Sequence, residues 1–145
     1  MDEARAAGEV PMEFRAEGLA FSLQVTPPDC EGWMWCHAVV EAPHFHGGLD
    51  FFMLRYDLEA FRDALSNALD DARWPCEVRL ESTEPGVELW FRVERTGRVA
   101  GGYRFGDVAE FQSMLSGKLT MDQTYLGPWL KQVRRALAEP PQGPP

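Results

Sequence analysis

Positive charge is what this chain has little of. Fourteen Lys and Arg stand against 23 Asp and Glu in 145 residues, a formal net charge of −9 at pH 7. Nucleic-acid binding takes clustered cations that displace phosphate counterions, so this balance excludes a nucleic-acid partner. Cysteine is scarce too. Cys30, Cys36 and Cys76 are an odd set in a chain long enough to build its own core, which argues against a disulfide framework. No apolar run approaches the ~20 residues of a membrane-spanning helix. The opening Met1-Asp2-Glu3-Ala4-Arg5 has neither the basic nor the apolar region of a signal peptide. A cytoplasmic protein with no membrane partner is expected.

The residue patterns of common catalytic sites are missing as well. His37, His44 and His46 are the only histidines. His44-Phe45-His46 puts two imidazoles on one side of an extended segment, but no Cys-x-x-Cys pair or fourth ligand accompanies them, so no metal is expected. Cys36 and His37 are strand neighbours whose side chains point to opposite faces, which rules out a dyad. There is no Gly-x-Ser-x-Gly elbow. Gly101-Gly102 lacks the spacing of a phosphate loop and reads as a bulge. Neither a cofactor nor an enzymatic activity is expected.

What is present is periodicity. Met12 and Phe14, then Leu19, Phe21, Leu23 and Val25, alternate with polar or small residues around Glu17-Gly18, the signature of a hairpin with one buried face. Strands over Trp33–Ala42 and Leu49–Tyr56 are apolar on both parities and are expected to be covered on both faces. Leu58, Phe61, Leu65, Leu69 and Ala72 form a helical stripe that Trp74-Pro75 terminates, with Asp57 as its N-cap and Glu59 complementing the helix dipole. A hairpin follows, turning at Glu84-Pro85-Gly86-Val87. A tight turn there sets Val78 opposite Val93, Leu80 opposite Phe91 and Glu81 opposite Trp90. A strand from about Arg98 to Phe105 and a long last strand with Phe111, Leu115, Leu119 and Met121 on one parity come next. Leu126, Trp129, Leu130, Val133 and Leu137 stripe a final helix.

The expectation is an α+β fold in the order ββββ-α-ββββ-α, a mainly antiparallel curved sheet of about eight strands with two helices. Residues 11–139 form the one domain, between a flexible start at 1–10 and a Pro-rich tail at 140–145. Its expected core includes Phe21, Leu23, Trp35, Phe61, Leu65, Leu80, Phe91, Trp129 and Leu130.

Several segments in this order resemble a known group. Asp57-Leu58-x-x-Phe61-x-x-x-Leu65 is followed by Val78-x-Leu80-x-Ser82, Leu89-x-Phe91-x-Val93, Gly97-x-Val99 and the distinctive Asp122-Gln123-Thr124-Tyr125-Leu126. Over roughly residues 19–138 this is similar to the WapI-type immunity proteins, small bacterial proteins encoded beside contact-dependent toxins. The resemblance implies a stoichiometric inhibitor of a cognate toxin and supplies no catalytic residues. The alternative is a small-molecule-binding or general protein-interaction module with a cavity between sheet and helices. Oligomeric state is left open.

Charge points to where such a partner binds. Residues 1–75 carry 14 acidic and 5 basic residues, whereas residues 76–145 carry 9 of each. An acidic inhibitor suits a basic toxin, whose capture it speeds by long-range steering. Asp57, Glu59, Asp63, Asp70 and Asp71 crowd one helix and are expected to edge the partner site. Trp90, on the polar parity of its strand, is the other candidate, because Trp is enriched at binding hot spots.

Overall fold

The computed structural model describes residues 10–107 and 113–138. Of the expected flexible start at 1–10 only Val10 lies within these, and it opens a strand; Phe111 and the tail at 140–145 lie outside them.

Among the described residues eight strands and two α-helices follow in the expected order: β1 Val10–Ala16, β2 Leu19–Val25, β3 Trp33–Glu41, β4 His46–Leu54, α1 Arg55–Ala68, β5 Cys76–Glu81, β6 Val87–Val93, β7 Arg98–Asp107, β8 Ser113–Asp122 and α2 Leu126–Leu137. The eight strands are shared between two four-stranded antiparallel meanders, β1-β2-β3-β4 and β5-β6-β7-β8. The meanders are tied at one end by the pairing of Glu17 with Thr120, whose backbone groups exchange bonds of 2.8 and 3.0 Å. Gly18 makes this approach possible. Its φ is 91°, and a Cβ there would lie 2.6 Å from the Lys118 carbonyl oxygen.

One core joins both sheets and both helices. β2, β3 and β6 bury every second residue in it, β4 only Phe51 and Met53, and β8 only Leu119 and Met121; Trp129 of α2 packs among them. The Trp129 ring lies 5.0 Å from Phe14, 6.3 Å from Phe21 and 5.8 Å from Phe91, so it touches both sheets. Its indole N–H donates to the Arg15 carbonyl at 3.2 Å, which satisfies its polar atom. Phe14, Phe21, Phe91 and Trp129 pack together in the space between the sheets and α2.

Four local expectations need correction. First, β3 buries only Met34, Cys36, Ala38 and Val40; Trp33 and Trp35 stand half-buried on the opposite face, so Trp35 is not a core residue. β4 likewise begins at His46, and Gly47-Gly48 lies inside it rather than in the turn. Second, the β5–β6 register places Val78 opposite Phe91, Leu80 opposite Leu89 and Arg79 opposite Trp90. The loop is four residues long, closed by Ser82, whose N–H donates to the Val87 carbonyl at 3.0 Å. A shift of two residues keeps every side chain on its face, which is why alternation alone does not detect it.

Third, α1 ends at Ala68, leaving Leu69 48% exposed. The Trp74 indole donates to the Ala68 carbonyl at 2.9 Å and closes the helix, while the Asp70 carboxylate accepts from Ala72 N–H and starts a separate turn. Fourth, β7 is unbroken at Gly101-Gly102, which pair in register with Phe91 and Trp90. The glycines are there for proximity. A Cβ on Gly101 would sit 1.9 Å from the Trp90 carbonyl oxygen, and one on Gly102 would meet the Trp90 ring at 2.6 Å.

Candidate partner-binding surfaces

The acidic helix is less bare than its composition implies. Asp57 occupies the third position of α1 rather than the cap. Its half-buried carboxylate accepts from the Leu54 N–H at 3.0 Å and from the Thr83 N–H at 2.8 Å. Glu59 shares Arg55 at 3.2 Å, Asp63 shares Arg62 at 2.9 Å, and Asp70 shares Arg73 at 3.5 Å. Asp71 alone of the five has no ion pair or side-chain hydrogen bond among the described residues. Arginines that are adjacent or one turn away thus neutralise most of this helix locally, which weakens the field it presents to a partner.

Trp90 faces outward from the second sheet, half-buried, with its ring beside Gly102 and the Arg79 guanidinium 6.0 Å over its centroid. Charges around it are matched. Glu88 lies between Arg79 and Arg104 at 2.9 and 3.4 Å, and Arg92 lies near both Glu77 and Glu94. The acidic helix and Trp90 lie on different elements, with β5 between α1 and β6.

The outward face of the first sheet differs from both. It carries Trp33, Trp35, His37 and Val39 on β3, with Phe52 and Leu54 beside them on β4. Phe52 is 51% and Val39 42% exposed. Sequence reading missed this cluster because both parities of β3 are apolar. The distinguishing signal is subtle: the parity with Ala38 and Cys36 is the one small enough to pack against a second layer.

The described residues offer little chemistry. No three His, Cys, Asp or Glu side chains among them gather as a metal site requires, and His44 and His46 are exposed. Cys36 points into the core, opposite in direction to His37, and burial pushes its thiol up to about 12, against the lesser opposing effect of a backbone hydrogen bond from Met53. An apolar cleft of about 430 Å³ opens between Phe45 of the β3–β4 loop and Leu49 of the first sheet on one side and Phe105 and Met114 of the second sheet on the other.

The Asp122-Gln123-Thr124-Tyr125-Leu126 segment turns out to be structural. The Asp122 carboxylate accepts from the Thr124 hydroxyl at 2.8 Å and its N–H at 3.2 Å, capping a short 3₁₀ turn that leads into α2. Those bonds, the hydroxyl first, hold its carboxyl below the ordinary aspartate range.

Comparison with the curated proteins and with the solved structures finds no match. A scan against protein-family models matches residues 6–141, nearly the whole chain, to the immunity protein WapI-like family. The chain belongs to the immunity protein WapI-like family.

Proposed function

We propose that this protein binds and neutralises a cognate bacterial toxin domain in the cytoplasm, as a stoichiometric inhibitor with no catalysis of its own. The observation that carries this reading is the family match over residues 6–141. The net charge of −9 supports a basic toxin as the partner. In the described residues no helix is long and apolar enough to cross a membrane.

Sequence reading offers two separate locations for this partner, the helix edge with Asp57, Glu59, Asp63, Asp70 and Asp71, and Trp90; the outward face of the first sheet is a third. The experiment is co-expression with the C-terminal domain of the large secreted toxin encoded beside the gene. Growth restored by a one-to-one complex is the expected result; toxicity undiminished with the protein folded and present sinks the reading.

The apolar cleft between Phe45 and Met114 favours a second reading, a small-molecule binder. Saturable binding of an apolar dye that a Phe45→Ala variant loses, without any toxin complex, would favour it.

A further inference from the structure

The outward face of the first sheet combines an apolar ledge, a groove and unpaired charge. Trp35 and Phe52 are cross-strand partners, flanked by the pair Trp33 and Leu54. Directly opposed side chains hold one another in place, so this ledge is ordered before anything binds. Both helices pack on the other side of the sheet, where Phe61 and Trp129 meet the Phe14 ring. Large apolar groups left in water together mark interaction surfaces.

Beside the ledge the sheet is indented. Ala20 and Ser22 on β2 are short, and Glu13 and Arg15 on one side and Val39 and Glu41 on the other wall a groove of about 230 Å³. The register sets Glu13 opposite Ser22, Ser22 opposite Val39, and Ala20 opposite Glu41. A floor of the short Ala20 and Ser22 side chains lies between two carboxylates, with one cation, Arg15, in the row of Ala20 and Glu41, and suits one arginine or lysine side chain. The stem of such a side chain would lie along Ala20 and Val39, with its charged head toward Glu13 or Glu41.

The charge around the face agrees. Between residues 10 and 54, Glu13, Glu17, Asp29, Glu31, Glu41 and Asp50 outnumber a single cation, Arg15. Of these six carboxylates, only Asp50 is ion-paired among the described residues, with His37 at 2.6 Å. The strands of the second sheet, by contrast, carry Arg79, Arg92, Arg98, Arg104 and Lys118 among their own carboxylates.

We propose that this face is the docking surface for a basic protein partner, with Trp35 and Phe52 as apolar anchors and the groove between Glu13 and Glu41 receiving an arginine or lysine. The partner's identity as a toxin rests on the function proposed above. The surface itself is placed on the first sheet rather than on α1 or around Trp90.

Two measurements keep the surface and the partner apart. In the first, an eight-residue oligo-arginine peptide is titrated into the full chain and followed by backbone amide shifts. Shifts centred on Ser22, Val39, Glu41 and Phe52, and reduced in the Glu13→Gln/Glu41→Gln variant, are expected. Shifts centred on Asp63, Asp70 and Asp71, or unaltered in that variant, overturn the proposal.

In the second, binding of the toxin domain encoded beside the gene is measured for folded variants. Phe52→Ala is expected to weaken it about tenfold or more, as loss of an anchor does. Glu13→Gln/Glu41→Gln slows association and flattens its salt dependence. Trp90→Ala and Asp63→Asn/Asp70→Asn/Asp71→Asn stay within about twofold of the parent, as substitutions outside the contact surface do. The reverse pattern overturns the proposal, as does a dimer that Phe52→Ala dissociates, since a second copy would then cover the face. If the toxin domain does not bind the parent protein, the function proposed above fails, while the peptide titration still decides the surface.

Discussion

Asp57 grips Thr83 with both oxygens of its carboxylate. The Thr83 amide donates to Oδ2 at 2.8 Å, and its hydroxyl lies 2.9 Å from each oxygen. The same Oδ2 accepts from the Leu54 amide. One side chain thereby joins the end of the first sheet, the first turn of α1 and the β5–β6 loop of the second sheet.

Asp57→Ala removes this junction and leaves two amide donors without their acceptor. A loss of about 2 kcal/mol is expected, because bonds to a charged acceptor are worth more than neutral ones. Thr83→Val removes only the hydroxyl and should cost about 1 kcal/mol. Denaturant unfolding of both variants checks the order; equal losses would mean that the backbone donors contribute nothing.

Gly101→Ala places a methyl group 1.9 Å from the Trp90 carbonyl oxygen, a backbone atom that does not move aside as a side chain does. Overpacking of this kind costs about 1–3 kcal/mol and occasionally more. Gly47, whose added Cβ would meet nothing within 4 Å, is the control. Gly47→Ala should stay within about 0.5 kcal/mol. Thermal unfolding of the pair is expected to show a clearly lower melting temperature for Gly101→Ala than for Gly47→Ala; equal values would mean that β6 and β7 part to admit the methyl group.

Thiol reactivity should divide the cysteines. The thiolate is the nucleophile, and Cys36, buried with its thiol pushed up to about 12, has almost none at neutral pH. Cys30 is exposed. A maleimide at pH 7 is expected to modify Cys30 in the native protein and Cys36 only after unfolding, as read by mass mapping. Native modification of Cys36 at the rate of Cys30 would mean that β3 faces the other way.

Acid should weaken the entry to α2. Because the Asp122 carboxyl is held below its ordinary value of 3.8 in the folded state, its contribution is complete above that value. It is lost as pH falls through the lower folded value. Asp122→Asn should therefore lower stability at pH 6 and flatten the acid limb of the stability curve between about pH 5 and the folded value. An acid limb identical to that of the parent protein would show that the Thr124 bonds carry no such coupling.

The local patterns were legible for a physical reason. Leu58, Phe61 and Leu65, or Leu126, Trp129, Leu130, Val133 and Leu137, recur at helical spacing, and a helix can bury such a stripe in only one orientation. Val78 and Leu80 against Leu89, Phe91 and Val93 determine which face of that hairpin is inward, whatever its register. The excess of carboxylates in the first half was legible too, though not which of them find an arginine.

The rest depended on contacts between distant segments. The sequence by itself determined the order of elements, both helical stripes and the inward parity of β5 and β6, since each is a property of neighbouring residues. Packing of distant segments set the division of the strands into two sheets, the outward side of Trp35 and Phe52, the inward side of Met34 and Met53, and the bonds between Asp57 and Thr83. Both parities of β3 and β4 are largely apolar, so local alternation separates the two orientations only weakly. What separates them is the fit of Cys36 and Ala38 beneath a second layer, which exists only once the two sheets have met.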